Sequence, residues 1–110
     1  MRGTQLGEFE ELVLLIVANL YQEASGLRIQ EAIKERSQRS ASISMIHATL
    51  QRLKKKGFLT SEYDNSSITE RGGRPRLLFR VTQPGHAALL KARDLRNDLW
   101  DTIPEFAFRY

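Results

Sequence analysis

Apolar positions recur at helical spacing along residues 8–21, which therefore predict a first helix with acids in its first turn. Leu14, Leu15 and Val17 make the other sides of this helix apolar as well. Its main apolar face consists of Phe9, Leu12, Val13, Ile16 and Leu20. A helix that is apolar nearly all round is buried on more than one side. In so short a chain, we expect part of that cover to come from a second subunit.

Residues 27–37 and 44–56 predict two further helices. A polar connector at residues 39–42 separates them, and we expect it to hold a strand of two or three residues. Ser42 or Ser44 is suited to cap the third helix, and Gly57 stands just past its end. The core stripe of the third helix is predicted to be Ile46, Leu50 and Leu53.

Two strands and a last helix complete the pattern. Residues 58–63 and 77–81 alternate as strands do, and residues 64–73 between them are rich in turn formers. Thr82 is placed to cap a helix that runs to about Trp100, with Pro84 in its first turn. The order predicts a mainly α fold with a small β-hairpin, a winged helix-turn-helix over residues 1–82. Residues 83–110 form the C-terminal helix and its tail.

Composition narrows the classes of function. The 110 residues include no cysteine, which excludes disulfides, thiolate catalysis and cysteine zinc sites. The longest apolar run, residues 12–18, is too short to span a membrane, so we expect a cytoplasmic protein. With two histidines and no phosphate-cradling or metal-binding motif, we expect neither an enzyme nor a bound metal or cofactor.

The net charge of +4 is unevenly distributed along the chain. Residues 26–60 carry eight basic residues against two acidic ones, whereas the first 25 residues are acidic on balance. A basic middle on a nearly neutral protein is typical of a localised contact with a polyanion. On charge alone, a solvated lysine-rich surface explains the pattern equally well.

The third helix makes the contact with DNA the better interpretation. If its core stripe faces inward, the opposite side carries small side chains at the start of the helix, polar ones in the middle and cationic ones at the end. This arrangement suits insertion into the major groove. The predicted DNA-binding residues of this helix are Ser44, His47, Ala48, Gln51, Arg52, Lys54 and Lys55. An ordinary surface helix usually mixes charges, but the end of this one carries no acid.

The turn between the two strands carries three further arginines, Arg71, Arg74 and Arg76. Their guanidinium groups can bind phosphates or a narrow minor groove, while Gly72 and Gly73 allow close approach. The alternative is a flexible, solvated loop. We expect the arginines and the basic stretch at residues 52–56 to supply affinity. Ser44, His47, Ala48 and Gln51 are the candidates for reading base sequence.

The last helix repeats apolar residues at spacings of four, three and four, which is typical of a coiled-coil-like seam. We therefore predict a homodimer, although packing within one subunit is the alternative. The predicted interface is Leu12, Ile16, Ala88, Ala92, Leu95, Leu99 and Trp100. Trp100 and Phe106 are candidates for lining a pocket for a planar ligand; equally, Trp100 closes the seam.

Four local motifs resemble those of PadR-type transcriptional regulators, over roughly residues 6–99. They are Leu6-Gly7-Glu8-Phe9-Glu10; Gly26 at the start of the second helix; Thr49-Leu50-Gln51-Arg52-Leu53 with Gly57; and Glu70-Arg71-Gly72-Gly73-Arg74-Pro75-Arg76 followed by Val81-Thr82-Gln83-Pro84-Gly85. The resemblance implies a homodimeric, winged-helix repressor that binds a pseudo-palindromic operator and is released by a small molecule. It also implies that the last helix is the dimerisation arm.

Two residues depart from the pattern of that family. His47 stands where a tyrosine is usual, and Lys54 stands where an acid is common. Both lie on the predicted DNA-binding helix, so we expect the operator sequence and the pH response to differ from those of relatives. The alternative function is a winged-helix module that holds an acidic protein partner on its hairpin, without operator-specific DNA binding.

Overall fold

The computed structural model describes residues 5–64 and 75–110. These residues form four α-helices, a short 3-10 helix and two antiparallel strands. The elements in chain order are α1 (Glu8–Leu20), the 3-10 helix Tyr21–Glu23, α2 (Gly26–Ser37), α3 (Ile43–Lys55), β1 (Leu59–Asp64), β2 (Arg76–Val81) and α4 (Gln83–Asp101). The predicted fold class is confirmed: three helices, a hairpin beside the third, and a long last helix.

The core is built around α1, whose Val13 and Leu14 have no exposed surface. Each large apolar side chain buried in this way contributes about 1.5–3 kcal/mol to stability. The rest of the core consists of Ile16, Val17, Ala24, Ile29, Ala32, Ile33, Ile46, Leu50, Leu53, Phe58, Leu59 and Phe79. Helices α2 and α3 and strand β2 all contact α1. The subunit therefore covers several sides of α1 by itself, and Leu15, 43% exposed, is the large apolar side chain of α1 that it leaves open.

Local capping sets the helix boundaries close to those expected from the sequence. The hydroxyls of Ser25, Ser42 and Thr82 each accept a hydrogen bond from the backbone N–H three residues further on. Of the two candidate caps for α3, Ser42 is thus the one used. Beyond the end of α3, Gly57 has a φ of +83°, a conformation that glycine adopts without the steric cost that a Cβ adds.

The connector between α2 and α3 holds no strand, so that prediction was wrong. Gln38 ends α2 in the left-handed conformation with a φ of 62°, and the side chain of Gln30 donates a hydrogen bond of 2.9 Å to the carbonyl of Ala41. The carbonyl of Ala41 is therefore satisfied without a strand partner. It is Ser25, just before α2, that pairs with Leu78 of β2.

The hairpin pairs Leu59 with Val81 at its base and Asp64 with Arg76 at its far end. Leu59 and Phe79 are buried against the helices, and the N–H of Phe79 donates to the carbonyl of Ala24 at 2.9 Å. The hairpin is thus joined both to the core and to the segment before α2. The turn predicted for residues 64–73 lies largely outside the described residues.

Helix α4 begins on the core and then leaves it. Ala88 and Leu89 pack against the core, whereas Leu95, Leu99 and Trp100 are 60%, 57% and 68% exposed. The molecule measures 61 Å along its longest axis against 30 and 21 Å along the others. Within residues 5–64 and 75–110, no helix is both long and apolar enough to cross a membrane.

Gly85, in the first turn of α4, lies against the end of the α3–β1 connection. A Cβ at this position would be 2.3 Å from the carbonyl oxygen of Phe58 and 3.0 Å from Cγ1 of Val81. The first distance is shorter than real Cβ contacts show, and the second lies at the tight end of their range. The carbonyl oxygen of Phe58 also accepts a hydrogen bond from the N–H of Thr82. The close approach of α4 to the core therefore requires glycine here.

We expect Gly85→Ala to lower the free energy of unfolding by about 3 kcal/mol, because the backbone must move to admit a methyl group. Urea denaturation followed by circular dichroism measures the change. His86→Ala, in the same helical turn but exposed, is the control and is expected to change stability by less than about 0.5 kcal/mol. Equal effects of the two substitutions would contradict the close contact.

Candidate nucleic-acid interface

Helix α3 lies across the fold with one side in the core and the other in solvent. Thr49 and the predicted core stripe of Ile46, Leu50 and Leu53 are fully buried. The predicted base-reading residues Ser44, His47, Ala48 and Gln51 are all exposed. The helix therefore presents small and polar side chains from its first three turns to solvent, as insertion into a major groove requires.

His47 also contacts the start of α2. A Cβ at Gly26 would lie 3.0 Å from Cε1 of the His47 ring and 3.4 Å from its Nε2. The ring thus packs against the backbone of Gly26 while the residue as a whole stays exposed. The ring of His47 therefore lies at the contact between α2 and α3, beside the candidate base-reading surface.

The four basic residues at the end of α3 differ in their contacts. Lys56 is turned inward, with 20% of its side chain exposed, and its Nζ donates to Glu10 at 2.8 Å and to the carbonyl of Gln5 at 2.7 Å. Lys54 donates to the hydroxyl of Ser61 on β1 at 2.9 Å. Lys55 is exposed and makes no hydrogen bond or ion pair with any residue in the described parts of the chain.

Arg52 is held between the protein and the solvent. Its Nη2 donates to the hydroxyl of Thr49 at 3.1 Å, its Nε lies 3.4 Å from Glu10 Oε2, and 56% of its side chain is exposed. The guanidinium is therefore drawn toward Thr49 and Glu10, although more than half of the side chain stays exposed. Arg52 is thus the outward cation expected at this position, but it is restrained by a contact with Glu10 that the local sequence does not indicate.

Glu10 is the buried acid that organises this end of α3, with 9% of its side chain exposed. Its Oε1 accepts hydrogen bonds from Lys56 and from the N–H of Gly7, both at 2.8 Å. Burial opposes ionisation, but the hydrogen bonds from Lys56 and Gly7 and the charge of Lys56 outweigh it. The pKa of Glu10 therefore lies below the ordinary glutamate value.

In the sequence, Glu10 is one of the acids in the first turn of a predicted helix. Its position offered one further signal, because it follows Gly7 by three residues, the spacing at which an acid reaches back to the N-cap backbone. That signal explains the hydrogen bond to Gly7. It could not indicate Lys56, which is 46 residues away and meets Glu10 only in the folded chain.

Of the three arginines predicted in the hairpin, Arg71 and Arg74 lie outside the described residues. Arg76 is the first residue of β2, and its guanidinium contacts Asp64 at 3.0 Å and Glu23 at 3.5 Å. The hydrogen bond to Asp64 and the charge of Glu23 raise the pKa of Arg76. Its charge is thus matched within the protein by two carboxylates.

The residues predicted for the dimer interface divide into two groups. Ile16 is buried in its own subunit, and Leu12, Ala88 and Ala92 are half-buried. The second group, on the projecting half of α4, is exposed and consists of Leu95, Leu99 and Trp100. Arg96 in the same half is tied to Glu11 of α1 by a contact of 2.7 Å, which holds the projecting helix against α1.

The two candidate effector-binding residues contact different side chains. The ring of Trp100 is 6.4 Å from that of Phe108, while the ring of Phe106 carries the guanidinium of Arg109 at 4.4 Å. An open groove of about 1030 Å³ lies elsewhere, between the 3-10 helix and the hairpin. Neither Trp100 nor Phe106 lines it.

Comparison with known proteins extends these observations. Residues 13–91 match the Transcriptional regulator PadR-like family. The fold is similar to that of a PadR-like transcription factor from Bacteroides fragilis, with 24% identity over 86% of this chain and 84% of that one and a TM-score of 0.69. A PadR family transcriptional regulator from Eggerthella lenta is 26% identical over 82% of this chain and 75% of that one, with a TM-score of 0.65. No curated protein matches this chain by sequence.

The winged helix-turn-helix, with an exposed α3 bearing polar and cationic side chains, defines a DNA-binding regulator of transcription. The chain belongs to the PadR-like family of transcriptional regulators, as the match over residues 13–91 shows. The resemblance noted in the sequence is thereby confirmed.

We expect Glu10→Gln to lower the free energy of unfolding at pH 7 by about 2 kcal/mol, because Lys56 and Arg52 lose the charge they contact. The folded-state pKa of Glu10 is lowered, so its contribution is fully present above the unfolded value of about 4.3 and is lost as the pH falls through the folded value. The difference between wild type and variant should therefore shrink on going from pH 7 to pH 3.

Chemical denaturation at the two pH values measures this difference. Glu31→Gln is the control, since Glu31 pairs with Arg28 on the surface of α2 with 64% of its side chain exposed. We expect less than about 0.5 kcal/mol for that variant. A Glu10→Gln effect that is as large at pH 3 as at pH 7 would show that the charge of Glu10 is not its cause.

Proposed function

We propose that this protein is a dimeric, operator-specific repressor that acts in the cytoplasm on a pseudo-palindromic DNA site. The observation that carries the proposal is the exposed face of α3. Ser44, Ala48 and Gln51 are open to solvent there, and Lys55 follows them without a partner in the described chain. Small residues at the start let the helix approach the bases, and the cation behind them meets the phosphates.

Within this proposal the residues of α3 have separate roles. Gln51 is suited to a bidentate pair with an adenine edge, and His47 and Ser44 contact bases beside it. Lys55 anchors the helix to a phosphate, joined by the exposed part of Arg52 and by Lys54. The predicted phosphate contacts of Arg71 and Arg74 remain part of the proposal, while the ion pairs of Arg76 argue for a lesser contribution from that residue.

We expect specific binding in a fluorescence anisotropy titration against DNA from upstream of the protein's own gene, compared with a shuffled sequence. Lys55→Ala should weaken binding to both sequences and reduce the salt dependence, the slope of log K against log [salt], by about 1. Gln51→Ala should instead reduce the preference for the operator by about 1–3 kcal/mol.

Lys91→Ala serves as the control, because Lys91 is an exposed lysine on α4 without a partner among the described residues. It should leave both affinities unchanged. Equal affinity of the wild type for operator and shuffled DNA at physiological salt would overturn the operator-specific function. If DNA binding were absent and an acidic protein co-purified instead, the protein-interaction module would replace it.

The proposed dimer rests on the projecting half of α4. Leu95 and Leu99 lie on one side of that helix four residues apart, both more than half exposed, and Trp100 stands beside them. A soluble protein rarely leaves such a contiguous apolar surface uncovered. Pairing two of these arms about a two-fold axis sets the two α3 helices about 34–36 Å apart, one turn of DNA.

We expect Leu95→Glu to convert the dimer to a monomer, because a charge would be buried in the seam. Sedimentation velocity at micromolar concentration measures the mass. Leu27→Glu is the matched control: Leu27 is 67% exposed, similar to Leu95, but lies on α2 away from the arm. A monomeric wild type, or a Leu95→Glu variant that stays dimeric, would contradict the arrangement.

We also propose that a planar aromatic effector binds beside Trp100 where the two arms meet, and that its binding relieves repression. The support is the exposure of Trp100 and the neighbouring ring of Phe108, which offers a face for stacking. Trp100 is the single tryptophan of the sequence, so its fluorescence reports such binding directly.

A further inference from the structure

Two of the four cations at the end of α3 share one buried acid. Glu10 Oε1 accepts a hydrogen bond from Lys56 at 2.8 Å, and Glu10 Oε2 lies 3.4 Å from Nε of Arg52. Lys56 is held a second time, by the carbonyl of Gln5 at 2.7 Å. Its ammonium group is therefore saturated on the side facing α1, and 20% of its side chain is exposed.

The adjacent lysine is in the opposite situation. Lys55 is exposed and has no partner among the described residues. Helical periodicity places Lys55 on the outward side of α3 and Lys56 nearer the inward side, three residues after the buried Leu53, but it does not show that one lysine is paired and the other is not. The distinction comes from Glu10, which reaches only the side of α3 that faces α1.

We propose that Glu10 is a positioning residue for DNA binding, which withholds Lys56 from the phosphates and restrains Arg52 so that α3 grips DNA with fewer cations than its sequence carries. This inference rests on the proposed function. Each cation that meets a phosphate strengthens binding to every DNA sequence alike. Withholding Lys56 therefore lowers the affinity for operator and for random DNA by a similar factor, and leaves the base contacts of Gln51 and the preference for the operator intact.

The restraint on Arg52 has a second consequence. Its Nη2 is held by Thr49, whose hydroxyl is itself fixed because it donates to the carbonyl of Met45 at 2.9 Å. Arg52 therefore meets DNA with its remaining N–H groups in a restricted orientation. An arginine fixed in this way loses less conformational freedom on binding than one that is free in solution.

The test is an anisotropy titration of Glu10→Gln on operator and shuffled DNA at several salt concentrations. Releasing Lys56 should steepen the slope of log K against log [salt] by about 1. For one released cation, affinity for shuffled DNA at 100 mM salt should rise about five- to tenfold. Operator affinity should rise by a similar factor, so the ratio of the two affinities should stay that of the wild type. An unchanged slope on a folded variant would overturn the proposal and leave Glu10 a structural role alone.

Glu11→Gln is the matched control. It removes the same charge from the neighbouring position of α1, but Glu11 pairs with Arg96 of α4 and not with α3. The proposal requires that the salt slope of Glu11→Gln equal that of the wild type. If Glu10→Gln and Glu11→Gln steepened the slope equally, the change in net charge alone would explain the effect, and the proposal would be overturned. The double variant Glu10→Gln/Lys56→Gln should return the slope most of the way to that of the wild type.

If Glu10→Gln does not fold, substitutions of the adjacent residues Lys55 and Lys56 test the same proposal. Lys56→Gln, which keeps an amide donor for Glu10, should leave the salt slope of the wild type unchanged, whereas Lys55→Gln should reduce it by about 1. Equal reductions in the two variants would overturn the proposal. These slopes can be measured on shuffled DNA, so failure of the wild type to prefer an operator would count against the proposed function and not against the role of Glu10.

Discussion

The burial of α1 is the constraint on which the other elements depend. Its Val13, Leu14 and Val17 are at most 1% exposed, and α2, α3, β2 and α4 all contact the helix. Because these elements share one central support, their mutual orientation follows from how each packs on α1. The exposed face of α3 is the consequence, since Ile46, Leu50 and Leu53 must turn inward to complete the core.

Helix α1 also carries Glu10, the acid that pairs with Lys56 and Arg52 at the end of α3. Glu10 lies in the first turn of α1, where the helix dipole and the N–H of Gly7 favour a carboxylate, and α3 passes close enough for Lys56 and Arg52 to reach it. One end of α1 thus supports the candidate DNA-binding surface. Further along, Glu11 binds Arg96 of α4, so α1 also joins that surface to the proposed dimer arm.

Much of this architecture could be predicted from local sequence. Ser25, Ser42 and Thr82 cap the helices by hydrogen bonds that span three residues, and the core stripe of α3 follows from helical periodicity. The predicted connector strand was wrong for a non-local reason, because the carbonyl of Ala41 is satisfied by the side chain of Gln30, eleven residues earlier. Pairing with β2 falls to Ser25 instead.

The sequence by itself determined the order of the α-helices and of the two hairpin strands, their approximate ends, the inward stripe of α3 and the family to which the chain belongs. Only the tertiary structure decided which cations are paired within the protein: Lys55 has no partner among the described residues, Lys56 is held by Glu10, and Arg76 contacts Asp64 and Glu23. The physical reason is range. Capping and periodicity act between residues a few positions apart, whereas an ion pair depends on distance in space, and its partners here lie 12 to 53 positions away along the chain.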